Sequence, residues 1–280
     1  MKIIHYISLL LLVIFTSCSS DSDEIMPVNE VADLVKIQTM ENENHQVELY
    51  SSSGQLEQGY NKIFLRIKNK SDQKYVTNAN IEWNPIMHME TKQHSGPISE
   101  VTKTPATETL YEGFIVFQMA ENPTEYWSLT LDYTVNGENY TLTDRIAVPA
   151  SPRRRVTTFT GTDGIKYILA LIDPATPKVA TNDISMGVFK MENMMTFPVV
   201  DGYKVKIDPR MPSMGNHSSP NNVDLIQAME DHLYYGKLNL TMTGYWKLNL
   251  QLENNLGEIV KGEPVTDTNE ASTLFLELEF

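Results

Sequence analysis

Apolar and polar residues alternate along many short segments of this chain. Ile63, Leu65 and Ile67 are separated by mostly polar or charged positions, and Trp127, Leu129 and the residues after them follow the same order. A period of two is typical of β-strands that bury one face. Together with runs of β-branched and aromatic residues between turn formers, the pattern predicts seven strands in the first half. They cover residues 34–37, 46–50, 62–68, 75–83, 111–119, 127–135 and 140–148.

The second half of the chain repeats this pattern of short strands. In its last segment Leu274, Leu276, Leu278 and Phe280 share one face, with glutamates on the other. The predicted strands cover residues 156–159, 165–171, 184–190, 203–207, 233–242, 245–252 and 274–280. Neither half contains a convincing amphipathic helix. Strands of this length and spacing predict an all-β protein with two tandem immunoglobulin-like β-sandwich domains.

Residues 149–155, Pro-Ala-Ser-Pro-Arg-Arg-Arg, separate the two halves. Because proline has no N–H to donate to a strand ladder, this segment predicts a linker of limited flexibility. The sequence therefore predicts a first domain at residues 33–148 and a second at residues 156–280. We expect the three linker arginines to be solvated, with docking on an acidic neighbour as the alternative.

One order of motifs occurs twice in the chain: Pro-x-Met, His-Ser-x-Pro, Leu-Tyr-x-Gly and Tyr-Trp-x-Leu-x-Leu. These motifs begin at Pro85, His94, Leu110 and Tyr126 in the first copy, and at Pro209, His217, Leu233 and Tyr245 in the second. The repetition indicates a duplicated domain. It also suggests that the Met and His residues of each copy lie in an irregular segment between strands.

The Met-Pro-x-Met segment at Met211, the histidine after it, the Tyr-x-Gly strand and the Trp-x-Leu-x-Leu strand resemble the YtkA-like domain. That domain is similar to FixH and to copper-handling extracytoplasmic β-sandwiches. The resemblance implies two tandem copies, the second closer to the pattern. The first copy departs from it, since Met-His-Met replaces Met-Pro-x-Met and extra residues precede Trp127. The resemblance supports the fold more than any activity.

The N-terminus has the pattern of a bacterial lipoprotein signal. Lys2 precedes an apolar run at residues 7–15, and small residues precede Cys18. We expect residues 1–17 to be a signal peptide and Cys18, the only cysteine, to be lipidated. Residues 18–32 then form a disordered acidic tether. It resembles the signal that sends lipoproteins of the Bacteroidota to the outer face of the outer membrane, although an ordinary polar spacer would have a similar composition.

The net charge of −14 limits the classes of molecule that the protein is expected to bind. A nucleic-acid interface needs clustered lysines and arginines, so the charge argues against nucleic acid as a partner. Motifs typical of hydrolases, metalloproteases, phosphate-binding loops and dinucleotide sites are missing from the sequence. We therefore expect a protein that is not an enzyme and is held at the membrane by a lipid anchor.

Methionine carries the candidate chemistry, with fourteen in the chain. Thioether sulfur selects Cu(I), and imidazole also binds copper. The sequence predicts one site at Met211, Met214 and His217, with His232 as an additional ligand. It predicts a poorer copy at Met87, Met89 and His94.

Other interpretations of these residues stay open. Methionine is also an adaptable packing residue, and duplication copies core positions as faithfully as ligands. A surface role is the simpler account of His232. The alternative function is a non-enzymatic interaction or scaffold module, in which tandem domains bind a protein of the cell envelope and the methionines are contact surface.

Overall fold

The computed structural model describes residues 29–280. The predicted signal peptide, Cys18 and the tether up to residue 28 lie outside the described residues. The strands of the N-terminal half are β1 (Val35–Glu41), β2 (His45–Ser51), β3 (Gly59–Asn69), β4 (Ala79–His88), β5 (Gln93–His94), β6 (Thr102–Lys103), β7 (Tyr111–Phe117), β8 (Tyr126–Val135) and β9 (Glu138–Ile146). Those of the C-terminal half are β10 (Val156–Thr160), β11 (Lys166–Asp173), β12 (Thr181–Lys190), β13 (Lys204–Met211), β14 (His217–Ser218), β15 (Val223–Gln227), β16 (Tyr234–Asn239), β17 (Tyr245–Glu253), β18 (Ile259–Lys261) and β19 (Phe275–Glu279). A short 3₁₀ helix, Pro212–Met214, follows β13.

The prediction of an all-β, immunoglobulin-like fold is confirmed, because antiparallel sheets account for the described architecture. In the N-terminal half one sheet has the order β1-β2-β3-β7-β6 and the other the order β5-β4-β8-β9. Their inner faces enclose a core in which Trp127, Phe117 and Ile63 are fully buried. Successive side chains of these strands point alternately into this core and towards solvent, which explains the alternation of apolar and polar residues in the sequence.

The C-terminal half pairs its strands in the same order. The layer β10-β11-β12-β16-β15 corresponds to β1-β2-β3-β7-β6, and β14-β13-β17-β18 corresponds to β5-β4-β8-β9. β19 adds to β17, and β15 pairs with both β16 and β13, so the two layers join into one sheet. The core between them contains Trp246, Tyr234 and Leu248.

The registers of the two halves also agree. Ile63 of β3 lies opposite Gly113 of β7, and Ile184 of β12 lies opposite Gly236 of β16. Each glycine permits a close approach, because a Cβ at Gly236 would lie 2.4 Å from the Val223 carbonyl oxygen. The repeated Tyr-x-Gly motif therefore marks one position in a repeated sheet.

The indole hydrogen bonds repeat as well. The Nε1–H of Trp127 donates to the carbonyl of Met119 at 2.9 Å, and that of Trp246 donates to the carbonyl of Met242 at 3.0 Å. Both indoles are fully buried, so each needs such an acceptor. The two tryptophans therefore occupy equivalent positions in the two cores.

The two halves pack directly on each other through a third apolar cluster. Its buried members are Val116 of the N-terminal half, and Val156, Ile168, Ala170, Phe189 and Phe197 of the C-terminal half. The rings of Phe114 and Phe189 meet across the interface at 6.1 Å between centroids. The outer face of β7 is therefore covered by β10, β11 and β12, and the interface fixes how the halves are arranged.

The three linker arginines differ in their surroundings. Arg153 forms an ion pair with Glu279 of β19, which matches the alternative of docking on an acidic neighbour. Arg154 is exposed, and its backbone N–H donates to the Glu277 carboxylate at 2.9 Å. Arg155 is half-buried, and its guanidinium donates to the carbonyls of Ile172 and Pro174.

Candidate ligand cleft between the two halves

The structure places Met87 and Met211 in the hydrophobic cores. Met87 lies in β4 and is fully buried, and Met211 at the end of β13 is 3% exposed. Each lies opposite a predicted histidine partner, His94 or His217, across a strand pair. Their thioethers nevertheless pack in the N-terminal and C-terminal cores. The prediction that these two methionines lie in irregular segments between strands is therefore wrong, and their role as metal ligands stays a prediction.

The predicted strands at residues 75–83 and 203–207 end before Pro85 and Pro209, yet β4 and β13 continue through these prolines. The N–H of Ala79 donates to the Tyr111 hydroxyl at 2.9 Å and so points away from β8. Since N–H groups alternate sides along a strand, position 85 faces the same way. A proline there removes no bond from the β4–β8 ladder.

The remaining residues predicted for the second site are not brought together. Met214 is 57% exposed in the 3₁₀ helix, and His217 is exposed in β14. His232 bonds instead to Asp201, with 3.0 Å between Nδ1 and Oδ1. Asp201 precedes the start of β13, whereas Met214 follows its end, and eight residues of strand span about 23 Å. His232 therefore cannot join Met214 and His217.

Met89 and His94 of the first predicted site both line a cleft of about 620 Å³ between the two halves. Three further methionines line the same cleft: Met119 from the N-terminal half, and Met191 and Met194 from the C-terminal half. Met89 and Met119 also pack against the N-terminal core, and Met191 packs against the apolar cluster between the halves. The soft donors come from both copies of the repeat, so neither copy alone carries the set.

Both halves hold His94 in place. The backbone N–H of Ser95 donates to the carbonyl of Met194 at 2.8 Å, which ties β5 to the turn after β12. The imidazole packs edge-on against Trp127, with 5.5 Å between ring centroids. Its Nδ1–H donates to the Ser95 carbonyl at 2.6 Å. The Nε2 atom therefore carries the lone pair.

Gly96 allows this backbone path. A Cβ at Gly96 would lie 2.3 Å from the carbonyl oxygen of Val116 in β7, which leaves no room for a side chain. The carbonyl of Pro97 then accepts the N–H of Val116 at 2.8 Å. The His-Ser-Gly-Pro motif thus pins the segment after β5 against β7, and it places His94 at the rim of the interface.

Burial lowers the pKa of His94, and the nearby charges of Lys166 and Lys92 lower it further. The hydrogen bond to the Ser95 carbonyl acts in the opposite direction, as does Glu125. The lowered pKa favours the neutral ring, whose lone pair lies on Nε2. His88 differs, since both of its ring nitrogens are bonded, one to Gln93 and one to Ser128.

The rim of the cleft is basic. Lys92 and Lys166 line it and form no salt bridge within residues 29–280, whereas Arg153 is neutralised by Glu279. Glu277 is the acidic residue of the lining. The positive rim repels every cation that approaches these neutral donors. It repels highly charged cations more strongly than singly charged ones, because Coulomb repulsion scales with the charge of the ion.

Within residues 29–280, no group of three or more His, Cys, Asp or Glu side chains is arranged to hold a metal ion. Over the same residues, no helix has the length and apolar character needed to cross a membrane.

The sequence interpretation missed Met119, Met191 and Met194. The sequence provided no reason to place these three methionines with Met89 and His94. What the sequence does not show is that the turn after β12 meets β5 of the other half. The available signal was the density of methionines at residues 186–195.

Comparisons with known proteins add little to these observations. No protein-family model matches the chain, and no curated protein matches it. A solved structure described as the conserved domain protein from Bacillus anthracis aligns over 88% of this chain and 91% of its own. Its sequence identity is 11% and its TM-score is 0.34.

Proposed function

We propose that this protein is a lipid-anchored protein of the cell envelope that binds Cu(I) in the cleft between its two halves. The observation that supports the proposal is the convergence of Met89, Met119, Met191 and Met194 on the cleft that holds His94. Thioethers are the protein ligands that select Cu(I), and a neutral imidazole suits the same ion. The anchor is the lipidated Cys18 predicted from the sequence, at the outer membrane.

The cleft suits a monovalent soft ion for two reasons. First, its candidate donors are uncharged, and His94 presents Nε2 because the Ser95 carbonyl holds the proton on Nδ1. Second, Lys92 and Lys166 at the rim raise the cost of bringing in a divalent ion. Methionine also forms no disulfide, whereas cysteine thiols are oxidised to disulfides outside the cytoplasm. The site would thus favour Cu(I) over Cu(II) and Zn(II).

Removing donors from the cleft should weaken Cu(I) binding. We expect Met191→Leu/Met194→Leu, and separately His94→Gln, to lower the affinity by about tenfold or more, which is about 1.4 kcal/mol. The leucines keep the apolar volume and delete the sulfurs. Titration of the full chain with Cu(I) against a competing chelator measures the effect, and Zn(II) tests selectivity.

Met211→Leu/Met214→Leu is the matched control for this titration. It also removes two sulfurs, but from a core position and an exposed turn remote from the cleft, so the affinity should stay unchanged. Equal affinities of the wild type and the Met191/Met194 variant would remove the cleft as the site. A loss confined to the control would return the site to the loop after β13.

The charge of the rim predicts a substitution that raises Cu(I) affinity instead of lowering it. Lys166→Gln should raise Cu(I) affinity about twofold to threefold, because it removes a positive charge that repels the ion across partly exposed surface. Lys178→Gln changes the same charge at a position outside the cleft lining and should have no effect. The comparison is made at low and at high salt, since screening should shrink the difference. A weaker Cu(I) complex in Lys166→Gln would contradict the electrostatic argument.

A further inference from the structure

The two halves differ at one strand edge, and this difference is independent of the cleft. In the C-terminal half β15 bridges the layers: Val205 of β13 lies opposite Leu225, and Lys204 lies opposite Ile226. The edge of β13 that faces away from β17 is therefore covered. Only one layer-to-layer closure of this kind is present among residues 29–280.

In the N-terminal half the corresponding closure is missing. Residues 99–103 occupy the place of β15, since Ser99 and Glu100 approach Gly113 as Val223 and Asp224 approach Gly236. Their strand β6 pairs with β7 but not with β4. β5 pairs only with Met87 and His88 at the far end of β4. Within the described chain, the edge of β4 from residue 79 to residue 85 has no strand partner.

The backbone groups of this edge point outward. The N–H of Ala79 donates to the Tyr111 hydroxyl, on the side away from β8. Because the direction alternates, the N–H groups of Ile81 and Trp83 face the same side. Ile207 of β13 is the counterpart of Trp83 in the C-terminal half, and its N–H donates to the Asp224 carboxylate at 3.2 Å. A row of strand donors and acceptors without a strand partner is a template for pairing with another chain.

A groove of about 480 Å³ runs along this open edge. It is lined by Asn80, Ile81, Glu82, Trp83, Ile98, Ser99, Glu100 and Val101. The Nε1–H of Trp83 donates to the Ser99 carbonyl at 2.8 Å, so the indole connects the two walls. The lining contains two carboxylates, no lysine and no arginine, and Ile98 is 41% exposed. The groove is therefore acidic as well as apolar.

We propose that the open edge of β4 binds an extended segment of another protein, which adds as a strand and alternates apolar with lysine or arginine residues. Main-chain bonds to Ile81 and Trp83 supply affinity, and side-chain pockets supply specificity. Apolar residues of the segment contact Ile98 and its neighbours, and basic residues meet Glu82 and Glu100. A second copy of this chain fits poorly, since it brings the same carboxylates and a net charge of −14 to each side.

Two synthetic peptides of equal length test the proposal with the full chain by calorimetry. One alternates valine with lysine and the other alternates valine with glutamate. We expect the lysine peptide to bind at least tenfold more tightly. Glu82→Lys/Glu100→Lys should reverse the order, whereas Glu138→Lys/Glu258→Lys, which changes the same charge elsewhere on the surface, should preserve it. Equal binding of both peptides to the wild type would overturn the proposal.

Backbone methylation of the peptide separates strand addition from simple charge attraction. The lysine peptide is N-methylated at every second residue, in either of two phases, which blocks one edge of the strand at a time. At least one phase should lose tenfold or more in affinity. Unchanged binding of both methylated peptides would overturn strand pairing without depending on any protein variant.

Two further outcomes would assign the edge to a different occupant. Sedimentation of the full chain showing a dimer that Glu82→Lys strengthens would make the occupant a second copy. Binding of the lysine peptide only after removal of residues 19–28 would make the occupant this chain's own N-terminal segment. Either result overturns the proposed partner. A monomeric full chain that binds the lysine peptide supports it.

Discussion

Replacing Trp127 by alanine is expected to lower the free energy of unfolding by about 3–5 kcal/mol. The indole is fully buried in the N-terminal core, where its ring meets Phe117 edge-on at 4.9 Å between centroids. Alanine would leave a large cavity and would also leave the Met119 carbonyl without its donor. Urea denaturation followed by circular dichroism measures the loss.

The same substitution should also affect the cleft. Trp127 contacts the His94 ring and holds the carbonyl of Met119, and both residues line the cleft. We therefore expect Trp127→Ala to reduce Cu(I) affinity as well as stability. Trp246→Ala is the matched control, because the equivalent indole binds the Met242 carbonyl in the other core, away from the cleft.

The two tryptophan variants give distinct outcomes. Both should lose stability by a similar amount, but only Trp127→Ala should lose Cu(I) affinity when measured in buffer where both variants remain folded. A stability loss below about 1 kcal/mol for Trp127→Ala would contradict its place in the core. Equal Cu(I) affinities of the two variants would contradict the support of the cleft by Trp127.

The fold class and the repetition could be predicted because they depend on local pattern. The period of two around Trp127 and Trp246 identifies strands with one buried face. Two copies of one motif order preserve register, which the structure shows as the matching pairs at Gly113 and Gly236. Local sequence carries this information, since both the strand period and the motif spacing are read along the chain.

The direction of each methionine could not be predicted without the strand register. Met87 and Met89 are two residues apart, yet one lies in the core and the other lines the cleft at the end of β4. Because β4 continues through Pro85, the sequence does not show where this strand ends. Met211 and Met214 were separated in the same way, by a strand that continues to Met211 and a turn after it.

The contact between the halves could not be predicted from the sequence, for a different reason. Phe114, Val116 and Phe189 lie on outer faces of their sheets, where the sequence pattern predicts exposure unless another surface covers them. Only long-range packing reveals that these faces meet. The same holds for β15, because Val223–Gln227 forms a strand that is not among the predicted ones. Pairing with β13 and β16 outweighs the weak local preference there.

The interface gives the second prediction of large effect. Phe189→Ala is expected to lower the free energy of unfolding by about 3–5 kcal/mol and to loosen the arrangement of the two halves. The ring is 1% exposed in the apolar cluster between them, and Gly187 makes room for it, since a Cβ there would lie 2.5 Å from the ring. Small-angle scattering should show a larger radius of gyration, and denaturation should separate into two transitions.

Val188→Ala is the control for this experiment, because neighbouring residues of a strand face opposite sides. Val188 is fully buried in the C-terminal core, so its truncation should lower stability without changing the radius of gyration. Phe189→Ala should also weaken Cu(I) binding, since Met191 and Met194 follow directly and meet His94 only while the interface is closed. If Phe189→Ala kept the native radius and the native Cu(I) affinity, the halves would be held by the linker contacts of Arg153 and Arg154, and the apolar cluster would not position the cleft.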